Sequence, residues 1–347
     1  MAQSVATAAS AAGQPTKLPN PGTKHLNHAA TEPIKQSPSR YTTSINTITP
    51  MENFRLRAID ILLAISVPII WGFGFTLAKV AFVYSDFPPI LLIACRFAVT
   101  TLALIWFVKP PVGFMLKIFW IAVVSATIQY ALTFTGLDGL NASTAIIVVQ
   151  LEFPFMAILA AIFLKDHLGW LRISGVVLAF SGIIMIAGQP HLLTNMLPVS
   201  LVVGGAFTWA IGQIMIKSLN GQVGGFTLIA WVAAFATPQL FLASWMFEDG
   251  QIEAIQSMNW IGWGVVIYLG LVMTALGYGI WYHLLGKYKV TQVGPFLLLL
   301  PVTSIAGSVA ILGERLTMVE VAGAVIVIAG VWVITKRKKT VGSGKVV

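Results

Sequence analysis

Glu152 lies near the middle of the apolar stretch 142–164, some ten residues from either end. An ionisable side chain at that depth costs about 2.5–3.5 kcal/mol on insertion scales, so it is expected to face a partner or a wet cavity. A low-dielectric site disfavours the charged form of a carboxyl group, which suits Glu152 to take up and release a proton. That chemistry fits antiport, in which the acid holds either a proton or a substrate ammonium group. The alternative is a permanent ion pair with Arg96 or a lysine. Arg96 stands about two turns into the stretch 89–108. Its planar guanidinium matches a carboxylate with paired hydrogen bonds; the plainer readings are snorkelling to head groups or pairing with Glu152.

Two tryptophans, Trp71 and Trp209, fall near mid-span rather than in interfacial belts. They read either as opposite walls of a central cavity, offering aromatic faces to an ammonium group, or as helix packing beside Gly72, Gly74 and Gly212. Gln129, Tyr130, Gln150, Gln213, Tyr278 and Gln292 are further polar groups in apolar surroundings. A zwitterion cavity needs such donors and acceptors, although some serve only to bond helix to helix. Of these, Glu152, Gln150, Trp71, Trp209, Arg96, Gln129, Gln213 and Tyr278 form the expected substrate-binding set, with Glu152 also the proton-coupling residue. Pro154 sits two residues after Glu152, where a kink would widen space beside the acid.

These residues are positioned by a membrane-embedded scaffold. The chain is 57% hydrophobic and 10% charged over 347 residues, which excludes an ordinary soluble domain. Apolar spans are read at 59–80, 89–108, 115–136, 142–164, 170–188, 197–217, 225–247, 260–282, 291–312 and 318–335. The net charge of +9 resides wholly in the tails: residues 1–57 carry +4 and residues 336–347 carry +5. Basic tails against anionic lipid, rather than nucleic acid, explain the high pI. With both termini cytoplasmic, the inner connections hold Lys109, Lys117, Lys165, Arg172, Lys217, Lys287 and Lys289. The outer ones hold Asp86, Asp138, Glu248, Asp249, Glu253 and a lone Arg315. This satisfies the positive-inside rule.

The spans also repeat. Trp71 is followed by Lys79, and Trp209 by Lys217, at the same interval. Asp166-His167-Leu168 leads to Gly175 and Gly182 at steps of seven, and Glu314-Arg315-Leu316 leads to Gly323 and Gly330 likewise. An odd number of spans per repeat makes the two halves opposite in orientation. The expected fold is therefore an all-α polytopic membrane protein, ten transmembrane helices as two inverted five-helix repeats, an arrangement that holds substrate between its halves. Spans 1, 3, 4, 6, 8 and 9 are expected to line that cavity. The glycine seams of spans 5 and 10 read as close helix packing or as a homodimer contact. Lys79 and Lys217 read as snorkelling side chains, and Glu314-Arg315 as loop capping.

Several classes lack support. There is no phosphate-cradling GxxxxGK[ST] for ATP, no HExxH or Cys/His cluster for a metal, and no nucleophile elbow, so neither an enzyme nor a cofactor is expected. The lone Cys95 rules out an internal disulfide and reads as a buried thiol. Residues 1–57 lack an apolar core and are read as a disordered cytoplasmic tail. Met51 to Arg57 resembles the start of a bacterial inner-membrane protein, so residues 1–50 are expected to be an extension or a misplaced start, without a folding role.

A family resemblance rests on particular residues. Trp71-Gly72-Phe73-Gly74-Phe75 with Lys79, and Pro88-Pro89 leading to Arg96-Phe97, resemble the opening of an EamA-type member of the drug/metabolite transporter superfamily. Gly277 to Trp281, Leu284 to Tyr288, Pro295, Leu299 to Val302 and Gly313 to Leu316 are similar to that family's second half. The resemblance runs from Met51 to Thr335, most strongly toward exporters of O-acetylserine and cysteine. One position departs from them: Glu152 stands where an uncharged polar residue is expected. The resemblance implies EamA-type five-helix repeats at 58–190 and 191–335, followed by a basic cytoplasmic tail at 336–347. It also implies export of small amino-acid-like metabolites from a bacterial inner membrane, by proton antiport and alternating access. The alternative is efflux of organic cations or other toxic small molecules.

Overall fold

The computed structural model describes residues 57–163, 169–189, 196–219, 221–288 and 293–335. Both tails, Lys165, Asp166-His167-Leu168, Lys289 and Gln292 lie outside the described residues. Every regular element described is helical. Among the described residues, nine helices are long and apolar enough to cross a membrane: α1 Ala58–Ser85, α2 Pro89–Phe107, α3 Met115–Asp138, α4 Ala142–Phe163, α5 Trp170–Ala187, α6 Leu197–Lys217, α7 Gly225–Phe247, α8 Trp260–Leu284 and α10 Met318–Thr335. A shorter apolar helix, α9 Phe296–Leu312, completes ten. The chain is a multi-pass membrane protein.

Packing follows the repeat. Helix α1 lies against α8 and α9, and its counterpart α6 lies against α3 and α4. Helix α2 pairs with its own counterpart α7, and α5 with α10. The last pair meets through glycine. A Cβ on Gly175 would sit 2.7 Å from the carbonyl oxygen of Gly330, and one on Gly182 would sit 2.8 Å from that of Gly323. Only glycine lets two backbones approach so closely. These glycines are thus engaged within one chain and are not available to the homodimer seam the sequence left open.

Several departures from regular α-helix shape the interior. Helices α3 and α8, repeat counterparts, each carry a π-helical segment, at Val123–Ile128 and Tyr268–Leu276. Each segment is crossed by the glycine of a partner helix. A Cβ on Gly212 of α6 would meet the Ser125 side chain, and one on Gly74 of α1 would meet Met273. Helix α4 is interrupted: regular helix ends at Val149 and resumes at Glu152. Pro154 has no N–H to offer the Gln150 carbonyl, which instead accepts from Phe153 at 3.2 Å in a tighter turn.

Ties between the repeats cluster at helix ends. The Glu314 carboxylate accepts from the backbone N–H groups of Ala142 and Ser143 and from the Ser143 hydroxyl at the start of α4. Glu248 does the same for Ile90 at 2.6 Å and Leu91 at 3.0 Å at the start of α2. Each satisfies N–H groups that a helix start leaves without partners. Asp60, buried at the start of α1, accepts from the Tyr288 hydroxyl at 2.7 Å and pairs with Lys287 at 3.5 Å. Lys79 does not snorkel; its ammonium donates to the Leu137 and Asp138 carbonyls and caps the end of α3.

Candidate functional site

A narrow, partly open pocket of about 50 Å³ lies between the repeats. Its walls come from α2 (Phe97), α3 (Ser125, Tyr130), α6 (Trp209, Gln213, Ile216), α7 (Leu228, Val232) and α8 (Thr274, Tyr278, Tyr282). The expected lining by α1, α4 and α9 is replaced by α2 and α7. The chemistry is mixed: aromatic faces, aliphatic side chains, and hydroxyl and amide groups from both halves.

Arg96 lies behind this wall, bonded to two of its lining residues. It is fully buried at 0% exposure, so it neither snorkels nor reaches an acid. Its Nε donates to the Thr274 hydroxyl at 2.8 Å and its Nη2 to the Tyr130 hydroxyl at 3.3 Å. The guanidinium stands 4.5 Å from the Tyr130 ring centroid and 5.3 Å from that of Phe97. Its Nη1 has no hydrogen-bond partner among the described residues. The Tyr130 hydroxyl meets that of Tyr278 at 3.1 Å. Among the described residues, the positive charge is therefore held by neutral groups and π faces.

The remaining candidate residues divide. Trp209, Gln213 and Tyr278 line the cavity. Trp71 does not; its indole N–H donates to the Met273 carbonyl at 3.0 Å and its ring packs on Tyr278 at 4.8 Å. The two tryptophans are thus not opposite walls, because the π segment of α8 presents a carbonyl that takes the Trp71 indole. Gln129 is buried and donates to Thr133 at 3.3 Å. Gln150 is buried at the break in α4, with its amide nitrogen unpartnered among the described residues. Glu152 is half-buried at the resumption of α4, with no hydrogen bond or ion pair among the described residues; the ion pair with Arg96 does not form. Its neighbour Phe153 reaches the cavity wall at Trp209, ring centroids 6.4 Å apart.

Sequence reading passed over Thr274 and Tyr282 and ranked Tyr130 below its neighbours. A signal for Tyr130 was present. It precedes Tyr278 by 148 residues, the interval that also separates Gly175 from Gly323 and Gly182 from Gly330. Among the described residues no group of three or more His, Cys, Asp or Glu could hold a metal ion.

Comparison with known proteins agrees with this architecture. A "Probable amino-acid metabolite efflux pump" of Escherichia coli strain K12 is 31% identical over 287 residues, covering 79% of this chain and 94% of its own. A "Probable terminal-alkyne amino-acid exporter" of Streptantibioticus cattleyicolor is 27% identical over 201 residues, covering 56% of this chain and 65% of its own. A solved crystal structure, 16% identical, covers 80% of this chain and 98% of its own with a TM-score of 0.55, a likeness of fold. The family model described as the EamA-like transporter family matches twice, at residues 58–188 and 196–336. With both halves of the helical bundle matched, the chain belongs to the EamA-like transporter family.

Proposed function

We propose that this chain is a secondary transporter that exports small amino-acid-like metabolites of the O-acetylserine and cysteine type. The observation that carries the reading is the cavity between the two repeats, which joins aromatic and amide walls to a buried, uncompensated guanidinium. The names of the two relatives, an amino-acid metabolite efflux pump and an amino-acid exporter, support the same substrate class. The Arg96 charge just behind the wall, bonded to the lining residues Thr274 and Tyr130, argues against organic cations as cargo. Transport proceeds by alternating access, one repeat rocking against the other around the cavity.

Glu152 is the proton-coupling group in this reading. Its support is an ionisable side chain inside a span, at a helix break, with no partner among the described residues. In this reading the protein sits in a bacterial inner membrane with both termini cytoplasmic, which the placement of Lys and Arg supports. The test uses purified protein in liposomes under a pH gradient, with labelled O-acetylserine and cysteine. Gradient-driven flux that Glu152→Gln abolishes in a folded protein is expected. Absence of flux for both compounds would sink the substrate class; flux indifferent to gradient and substitution would make the protein a facilitator.

A further inference from the structure

The arginine, the two tyrosines and Thr274 are distributed across the repeats in a telling way. Arg96 and Tyr130 belong to the first half, Thr274 and Tyr278 to the second. Tyr130 and Tyr278 are repeat counterparts, each just beyond the π segment of its helix. A π segment redirects the helix that follows it and recurs at functional sites. Here the two redirected turns bring both hydroxyls together at 3.1 Å, beside a guanidinium whose Nη1 is unpartnered among the described residues.

A guanidinium shielded from water and lacking an acid is costly in an apolar interior, and one that only locks helices together has no need of its charge. Neutral side chains would bond Thr274 and Tyr130 equally well. What the charge adds is affinity for an anion, most strongly for a planar one that accepts two parallel N–H bonds. The phenols add O–H donors that aim at the same point once their mutual contact is released. Tyr130, Tyr278 and Thr274 border the cavity, so an anion arriving there meets this group first.

We propose that Arg96, Tyr130 and Tyr278 form the subsite for the substrate's α-carboxylate, which enters by replacing the contact between the two tyrosine hydroxyls. The inference rests on the amino-acid reading above and names the part of the substrate that is recognised. Because the carboxylate takes donors from both repeats, its binding replaces a direct tie between the halves by one that runs through the cargo. Substrate occupancy and repeat movement are thereby linked.

The test is direct binding to the purified full chain in detergent, with cysteine and O-acetylserine each set against its primary amide, which keeps the ammonium group but lacks the anion. Wild type should prefer acid over amide by about tenfold or more, the scale of one lost charge-assisted pair. Arg96→Gln should remove that preference by weakening the acid alone. Tyr130→Phe and Tyr278→Phe, which keep ring and packing, should each reduce the preference several-fold, weakening the acid more than the amide; they carry the test if Arg96→Gln does not fold. Acid and amide bound equally by wild type, or a preference that survives all three substitutions, would overturn the subsite while leaving an amino-acid carrier. Binding of neither pair would overturn the amino-acid reading and the subsite together.

Discussion

At the scale of single residues, charge is placed sparingly and each instance has a distinct consequence. Arg96 accepts the cost of burial among neutral partners, whereas Glu248 uses its charge to hold two helix N–H groups. The Glu248 carboxyl lies outside the spans, and burial pushes it above the ordinary glutamate range, with the hydrogen bonds from Ile90, Ser244 and Leu91 opposing that rise. A raised acid binds its proton more tightly in the folded chain than in the unfolded one. Its contribution to stability is therefore greatest at low pH and is lost as pH rises through the raised value. The Tm of wild type minus that of Glu248→Gln should fall as the pH is taken from about 4 to about 7. A difference that grew over that range would contradict the assignment. On the other face, the Tyr288 hydroxyl is also pushed up, chiefly because it donates to the Asp60 carboxylate. Neither tie was legible in the sequence, where Asp60 is one acid at the edge of an apolar run.

At the scale of elements, most of the ten spans were legible to within a few residues, although 59–80 falls short of Ala58–Ser85 and 291–312 overruns Phe296–Leu312. The reading 225–247 coincides with Gly225–Phe247, and 318–335 with Met318–Thr335. Only hydrogen-bonded helix satisfies backbone groups in hydrocarbon, so a long apolar run leaves a single local structure open to it. What the run conceals is how helices face each other. The α5–α10 contact shows this, since its glycines were equally compatible with a contact between chains. Gly175→Leu should introduce a side chain against the Gly330 carbonyl and force the pair apart, at a cost of about 1–3 kcal/mol. A lowered Tm with a monodisperse, unchanged oligomeric state is expected by size-exclusion chromatography with light scattering. A change of oligomeric state instead would restore the intermolecular reading. The break in α4 was partly legible, because Pro154 marks a missing donor; that Gln150 and Glu152 flank it followed directly from their numbering.

At the scale of the whole molecule, ties between repeats set what alternating access must break. Glu314 of the α9–α10 connection holds the start of α4, and Glu248 beyond α7 holds the start of α2, so the second repeat clasps the first at two helix starts. Joining Ser143→Cys to Glu314→Cys with a short bifunctional thiol reagent should fix one clasp and abolish flux in liposomes. The native Cys95 is buried and should contribute little background. Linked protein that transports at the wild-type rate would show that this clasp stays closed throughout the cycle.

Sequence by itself determined the membrane class, the number and placement of spans, the inverted duplication and the family resemblance. Each follows from composition along the chain, which hydrocarbon translates into helix without reference to neighbours. Tertiary structure alone decided which polar groups meet: Arg96 with Thr274 and Tyr130 rather than Glu152, Trp71 with Met273 rather than the cavity, and α2 and α7 rather than α1, α4 and α9 as walls. The physical reason lies in α3 and α8. A π segment inserts extra backbone into a turn and rotates everything beyond it, so faces counted at 3.6 residues per turn slip out of register there. Tyr130 and Tyr278 lie just past those segments, and their contact depends on a rotation that no linear spacing records.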